Sequence, residues 1–233
     1  PVHGRVTFVK GEVFLRRNTG PEKKLLQIED MIFPGDIIIT GPQSAVEVDF
    51  ENRSTFYAYP HTQVKVAVSE TKGLKYLVQR FVLVAGNIVT KVRSATGSAS
   101  RTVIQTPYAT SAVRGTHFRV AVHKEQSTTT EVLQGKVDVT AKGVKVALHE
   151  GQGTKVIKGH TPIAPVKLLE PPTLGDTSSV FAGMPLRMTF TPVPGARRYR
   201  FQLSRDRDGK DVVGDTVVEL GASHEFHKLE DGG

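Results

Sequence analysis

Apolar and polar residues alternate along most of this chain, in short runs closed by Gly, Pro, Asn or Ser. Alternation on every second residue marks strands with one buried face. Val6 and Phe8 precede Gly11, and Val13 and Leu15 resume before the turn-like Arg17-Asn18-Thr19-Gly20. Gly35-Asp36 leads into Ile37-Ile38-Ile39-Thr40, which stops at Gly41-Pro42. The clearest strand places Val46, Val48 and Phe50 on one face and Glu47, Asp49 and Glu51 on the other. Asn52-Arg53-Ser54 is its predicted reversal and residues 56–59 the returning strand. Val64, Val66 and Val68 predict another, and residues 74–84 a further strand or strand pair closed by Gly86. Phe118, Val120 and Val122, then Val132, Val137 and Val139, then Val144, Val146 and Leu148 carry the pattern on to Val156. Helical stripes free of Gly or β-branched interruption are missing, so the fold class is all-β. Val48, Phe50, Phe118, Val120, Val137 and Val139 are predicted core.

A short motif recurs along this pattern. Gly4-Arg5-Val6, Gly11-Glu12-Val13, Gly86-Asn87-Ile88 and Gly135-Lys136-Val137 each set a Gly, a polar residue and a β-branched residue at the start of a strand. Each Gly is expected to supply a tight corner or a positive φ. Repeated short strands with such corners predict a curled, solenoid-like β domain over residues 1–160. Residues 94–100, reading SATGSAS, are small and polar and predict a surface loop. Pro162, Pro165, Pro171 and Pro172 mark residues 161–172 as a proline-rich linker. Beyond it Leu186, Met188 and Phe190 alternate, Pro192-Val193-Pro194-Gly195 turns, and Tyr199, Phe201 and Leu203 alternate again. Residues 173–233 therefore read as a small β-sandwich-type module, shorter than the ~100 residues of an immunoglobulin-type domain.

Composition narrows the chemistry. The 233 residues contain neither Cys nor Trp. That removes disulfides, thiolate metal sites and cysteine nucleophiles, and it weakens a sugar-stacking cleft, for which Tyr57, Tyr59 and Tyr76 would have to substitute. No apolar run approaches the roughly 20 residues of a membrane span, and no signal peptide is seen; Pro1 reads as either a mature boundary or an artificial start, with further native chain upstream left open. The formal net charge of +8 favours anionic partners. Lys142, Lys145, Lys155 and Lys158 form the candidate basic contact surface. The cations are seldom interleaved with aromatics, so a nucleic-acid surface is not expected.

Catalytic and metal patterns are not found. His117 and His123 stand about 20 Å apart along one strand, too far to share an ion. His224 and His227 do not share a strand face. Gly97-Ser98-Ala99-Ser100 lacks the Gly-x-Ser-x-Gly elbow of a hydrolase, and Val113-Arg114-Gly115-Thr116 lacks the lysine and spacing of a phosphate loop. Glu47, Asp49 and Glu51 share one solvated face and make no acid–base pair. No catalytic, cofactor-binding or metal residue is nominated, and the chain is read as non-enzymatic. Arg114, between an apolar strand and a Gly, is expected to be partly enclosed and to clamp carbonyls or a carboxylate.

The segment Thr106-Pro107-Tyr108-Ala109-Thr110-Ser111-Ala112-Val113-Arg114-Gly115-Thr116-His117-Phe118-Arg119-Val120 closely resembles the signature of the FecR domain, a periplasmic β-rich module. Gly35-Asp36-Ile37-Ile38-Ile39-Thr40-Gly41, Ser44-Ala45-Val46-Glu47-Val48, Gly135-Lys136-Val137-Asp138-Val139 and Glu150-Gly151-Gln152-Gly153 agree with it. Asn52-Arg53-Ser54 stands where the family often has Asp-Gly-Ser, a departure that a reversal tolerates. The resemblance marks Gly35, Asp36, Arg114, Gly115, Thr116, Phe118 and Gly135 as structural motif positions. The later segment, with Pro192-Val193-Pro194-Gly195-Ala196 and Tyr199-Arg200-Phe201-Gln202-Leu203, looks like the front half of a fibronectin type III-like module. The resemblance implies a bacterial, periplasmic or otherwise extracytoplasmic scaffold and protein-interaction module of the cell envelope, with a role in signalling or envelope organisation. Peptidoglycan or polyanion binding through the basic surface is the alternative.

Overall fold

The computed structural model describes residues 2–51, 53–72, 76–93, 101–175, 185–219, 221 and 223–226. These residues form strands and turns and no helix, so the fold is all-β. The chain divides into two compact units, Pro1–Leu168 and Leu169–Gly233. The expected loop at 94–100 lies outside the described residues, as do Asn52, Leu74 and His227.

The first unit holds β1 (Gly4–Lys10), β2 (Val13–Arg16), β3 (Lys23–Leu25), β4 (Met31–Ile32), β5 (Ile37–Thr40), β6 (Ala45–Phe50), β7 (Ser54–Ala58) and β8 (Gln63–Lys72). It continues through β9 (Tyr76–Val92), β10 (Arg101–Gln105), β11 (Thr110–Val113), β12 (His117–His123), β13 (Ser127–Gln134), β14 (Lys136–Ala141), β15 (Val144–His149), β16 (Gln152–Ile157) and β17 (Val166–Lys167). Pairing arranges them in two layers. The first runs β4-β1-β6-β7-β9-β12-β13-β16-β17, antiparallel throughout. The second runs β3-β2-β5-β8-β9-β10-β11-β14-β15, with β9 and β10 parallel and the other neighbours antiparallel. Strand β9 belongs to both: its residues up to Ala85 pair in the second layer and those from Gly86 onward in the first.

The chain curls because it crosses repeatedly from one layer to the other. Gly11, Gly86, Gly115, Gly135 and Gly151 stand at crossings, all with positive φ. Gly86 does not close a strand; it turns β9 in mid-course, at φ 85°. A Cβ there would lie 2.3 Å from Thr62 Oγ1 and 2.5 Å from Thr62 Cα, so only Gly fits both the angle and the space. Gly4, expected as another corner, is not one: it has no positive φ and opens β1 in close contact with the core. A Cβ at Gly4 would meet Val48 Cγ1 at 2.6 Å, so that position is set by packing.

One hydrophobic core fills the space between the layers. Val48, Phe50, Phe118, Val120, Val137 and Val139 are all fully buried in it. The rings of Phe50 and Phe56 meet Phe81 edge-on at 5.3 and 5.5 Å, joining the first layer to the second. The alternation of Val64, Val66 and Val68 fails at its last member. A bulge between Val66 and Val68 shifts the register, so Ser69 is buried and Val68 turns to the outer face, half-exposed. Of residues 161–172, the early part adds to the first layer. Ile163 N–H donates to the Lys155 carbonyl at 3.1 Å, and Leu168 N–H to Gly151 at 2.7 Å.

In the second unit β18 (Leu186–Thr189) pairs with β21 (Ser223–Phe226), and β19 (Arg198–Ser204) with β20 (Val212–Glu219). Phe190, Tyr199, Phe201 and Phe226 form its core. His224 packs its ring on Phe201 and Phe226 at 5.4 and 4.7 Å, a packing position. The turns open at Val193 and Asp206. The Asp206 carboxylate accepts the N–H groups of Asp211 and Lys210, and these bonds, that of Asp211 first, hold its carboxyl below the usual range.

Candidate functional site: a cationic trough on the second layer

Most of the motif positions make contacts within the fold. Gly35, at φ 99°, donates its N–H to the Val66 carbonyl at 2.6 Å and leaves no room for a Cβ beside Asn18. Asp36 is 2% exposed; its carboxylate accepts from Phe33 N–H at 2.9 Å and pairs with Arg17 at 2.5 Å. Asp36→Ala would leave a backbone N–H and a guanidinium without their acceptor. It is expected to cost about 2–3 kcal/mol. A urea melt monitored by circular dichroism checks this, and a loss below about 1 kcal/mol would count against it. Thr106 Oγ1 accepts from Ala109 N–H at 2.9 Å and meets Thr128 Oγ1 at 2.8 Å, tying the turn before β11 to the first layer. Gly115, Thr116 and Gly135 build one corner: Thr116 Oγ1 donates to the Lys136 carbonyl at 2.9 Å, and a Cβ on Gly135 would come within 3.0 Å of the Gly115 carbonyl oxygen. Phe118 is core.

Arg114 departs from this. Enclosure was expected, but its side chain is exposed, because Val113 takes the inward position and strand alternation sends the next residue outward. Its guanidinium makes no hydrogen bond or ion pair among the described residues. It borders a hollow of about 570 Å³ on the outer face of the second layer, with Arg101, Ala112, Val113, Lys136, Asp138 and Lys145. Register explains the gathering. Thr102 lies opposite Val113, and Val113 opposite Val137, so the outward Arg101, Arg114 and Lys136 fall in one row across β10, β11 and β14. Asp138 is engaged by Lys145 at 3.4 Å. Arg101, Arg114 and Lys136 make no ion pair among the described residues, which leaves the hollow strongly positive. A second hollow of about 370 Å³ adjoins it through Arg101, lined by Val68, Val78, Arg80, Val103, Gln105 and Thr110.

The lysines chosen from the sequence are not gathered on one face. Lys145 is exposed on the outer face of the second layer, beside the hollow, and Lys142 lies in the turn that follows β14. Lys155 is exposed on β16 of the first layer and Lys158 follows that strand. Sequence reasoning missed Arg101 and Lys136, whose meeting with Arg114 depends on the β10–β11–β14 register.

On the outer face of the first layer Arg119 pairs with Glu131 at 2.7 Å, and His123 Nε2 lies 2.9 Å from Thr129 Oγ1. Burial, then the charges of Lys91 and Arg119, hold the His117 imidazole below its ordinary range. Glu47 accepts from Thr7 at 2.7 Å and Asp49 from Thr55 at 3.3 Å. Among the described residues no cluster of three or more His, Asp or Glu is placed to hold a metal ion.

The fold is that of an all-β domain with a cationic hollow on one outer face. Residues 36–138 match the model of the FecR protein family. That match runs from the head of β5 into β14 and takes in the middle strands of both layers. Two crystal structures of a protein from Parabacteroides distasonis ATCC 8503, provisionally named an anti-sigma factor, are similar at 16% and 15% identity, with TM-scores of 0.48 and 0.49. The similarity covers 57% of this chain and 59% of theirs, so this chain spans under two thirds of their length. No curated protein matches the chain.

Proposed function

We propose that this chain is a non-catalytic interaction module of the bacterial envelope, periplasmic, which holds a protein partner on the outer face of its second layer. The observation that carries the reading is the trough in which Arg101, Arg114 and Lys136 meet with no ion pair of their own among the described residues, its one carboxylate, Asp138, being engaged by Lys145. Polar motif positions such as Asp36, Thr106 and Thr116 are satisfied inside the fold, whereas Arg114 is turned outward. Cations left unpaired on a concave face favour an acidic partner and steer its approach. The second unit, read as a fibronectin type III-like module, serves as spacer or further contact. Binding to peptidoglycan or another polyanion is the second reading, favoured by the same cations.

Crosslinked capture from envelope extract, using the whole chain and an Arg114→Glu/Lys136→Glu variant, tests the proposal. A single protein partner retained by the parent and lost by a normally folded variant is the expected result. Capture of isolated peptidoglycan alone, released by salt, would move the function to the polyanion reading.

A further inference from the structure

Two hollows of different character meet at Arg101, and the difference specifies a ligand. Around one stand Arg101, Arg114 and Lys136, exposed and without ion pairs among the described residues. Around the other lie Val68, Val78 and Val103, half-buried on the outer face of β8, β9 and β10, with the exposed Arg80 and Gln105 at its border. Val68 reaches that face only because of the bulge that turns it out of the core. We propose that the trough binds an extended polypeptide segment of the partner that carries apolar side chains at one end and carboxylates at the other. The proposal rests on the interaction reading above and names the chemistry of that partner.

A uniform polyanion would satisfy the cationic end and leave the apolar end wet, whereas burying both ends rewards a mixed segment. Length agrees. From β8 to β15 the trough crosses strands spaced about 4.8 Å apart, roughly 24 Å in all, which an extended segment of about seven residues spans. Carboxylates are the fitting anions for Arg101 and Arg114, since a guanidinium offers them paired donors.

The test uses the whole chain and fluorescein-labelled heptapeptides read by anisotropy. One has an apolar Val-Leu-Val end and a Glu-Asp-Glu end joined by Gly; the second replaces the acids by their amides; the third is heptaglutamate. Binding of the first is expected, with both controls weaker on the order of tenfold. Arg114→Glu/Lys136→Glu should abolish the preference for the acidic peptide over its amide form, and Val103→Ser should erode the preference over heptaglutamate. Heptaglutamate binding as tightly as the mixed peptide, equal binding of the amide form, or no binding by any peptide would each overturn the proposal. If envelope capture still depended on Arg114 and Lys136 in those cases, the interaction reading would survive and only the ligand chemistry would fall.

Discussion

Phe81→Ala is expected to destabilise the first unit by about 3–5 kcal/mol, a large share of the ~5–15 kcal/mol of an ordinary domain. Phe81 is 1% exposed and sits on the second-layer part of β9. Its ring is met edge-on by Phe50 from β6 and Phe56 from β7, which belong to the other layer. Removing it therefore opens a cavity between layers that are both held by long ladders and cannot collapse freely, the condition under which truncation costs most. The edge-to-face geometry adds to the burial term. A urea titration followed by far-UV circular dichroism measures the loss. Phe81→Leu, which keeps most of the volume, should cost about 1.5 kcal/mol or less. Equal losses for the two variants would show that Phe81 does not bridge the layers as described.

Gly86→Ala is the second large effect, with an expected cost of about 3–4 kcal/mol from backbone strain and lost hydrogen bonds together. A residue with a Cβ at φ 85° is strained to begin with. The new methyl would also fall 2.3 Å from Thr62 Oγ1, 2.5 Å from Thr62 Cα and 2.7 Å from the His61 carbonyl oxygen. Most of those contacts are backbone, which a rotamer change cannot relieve. Moving Thr62 would break the bond that its Oγ1 accepts from Asn87 N–H at 3.0 Å, next to the corner itself. The same denaturation assay reads the result. Gly143→Ala is a suitable comparison, since that Gly also has positive φ but nothing within 4 Å of its Cβ position. If both changes cost the same, the crowding at Gly86 contributes nothing.

The all-β character and much of the core were legible because alternation is a local signal. Val46, Val48 and Phe50 needed no partner strand to declare their face, and Glu47 and Asp49 took the other. The recurring Gly motif was legible as a corner but not as a crossing between layers, since a crossing is defined by where the next strand pairs. Val68 was misread because one bulge reverses the faces beyond it. Gln79 shows the same limit from the other side. It is fully buried in a strand, with Ser54 Oγ at 2.6 Å and Thr102 Oγ1 and Ser69 Oγ at 3.4 Å, partners contributed by other strands. The trough was the least legible feature. Lys136 alternates plainly against Val137, yet Arg101 reaches Arg114 only through the pairing of β10 with β11. The lysines picked by sequence proximity were divided between layers for the same reason.

The double membership of β9 has a consequence for cooperativity. Every strand on one side of it, in either layer, comes from the chain before β9, and every strand on the other side from the chain after it. The unit is thus a pair of wings hinged on a common spine, and neither wing can melt without stripping hydrogen bonds from a strand the other needs. Val68 belongs to the earlier wing and Arg114 and Lys136 to the later one. A segment lying along the trough straddles the spine, so its binding free energy is shared by both wings as added stability.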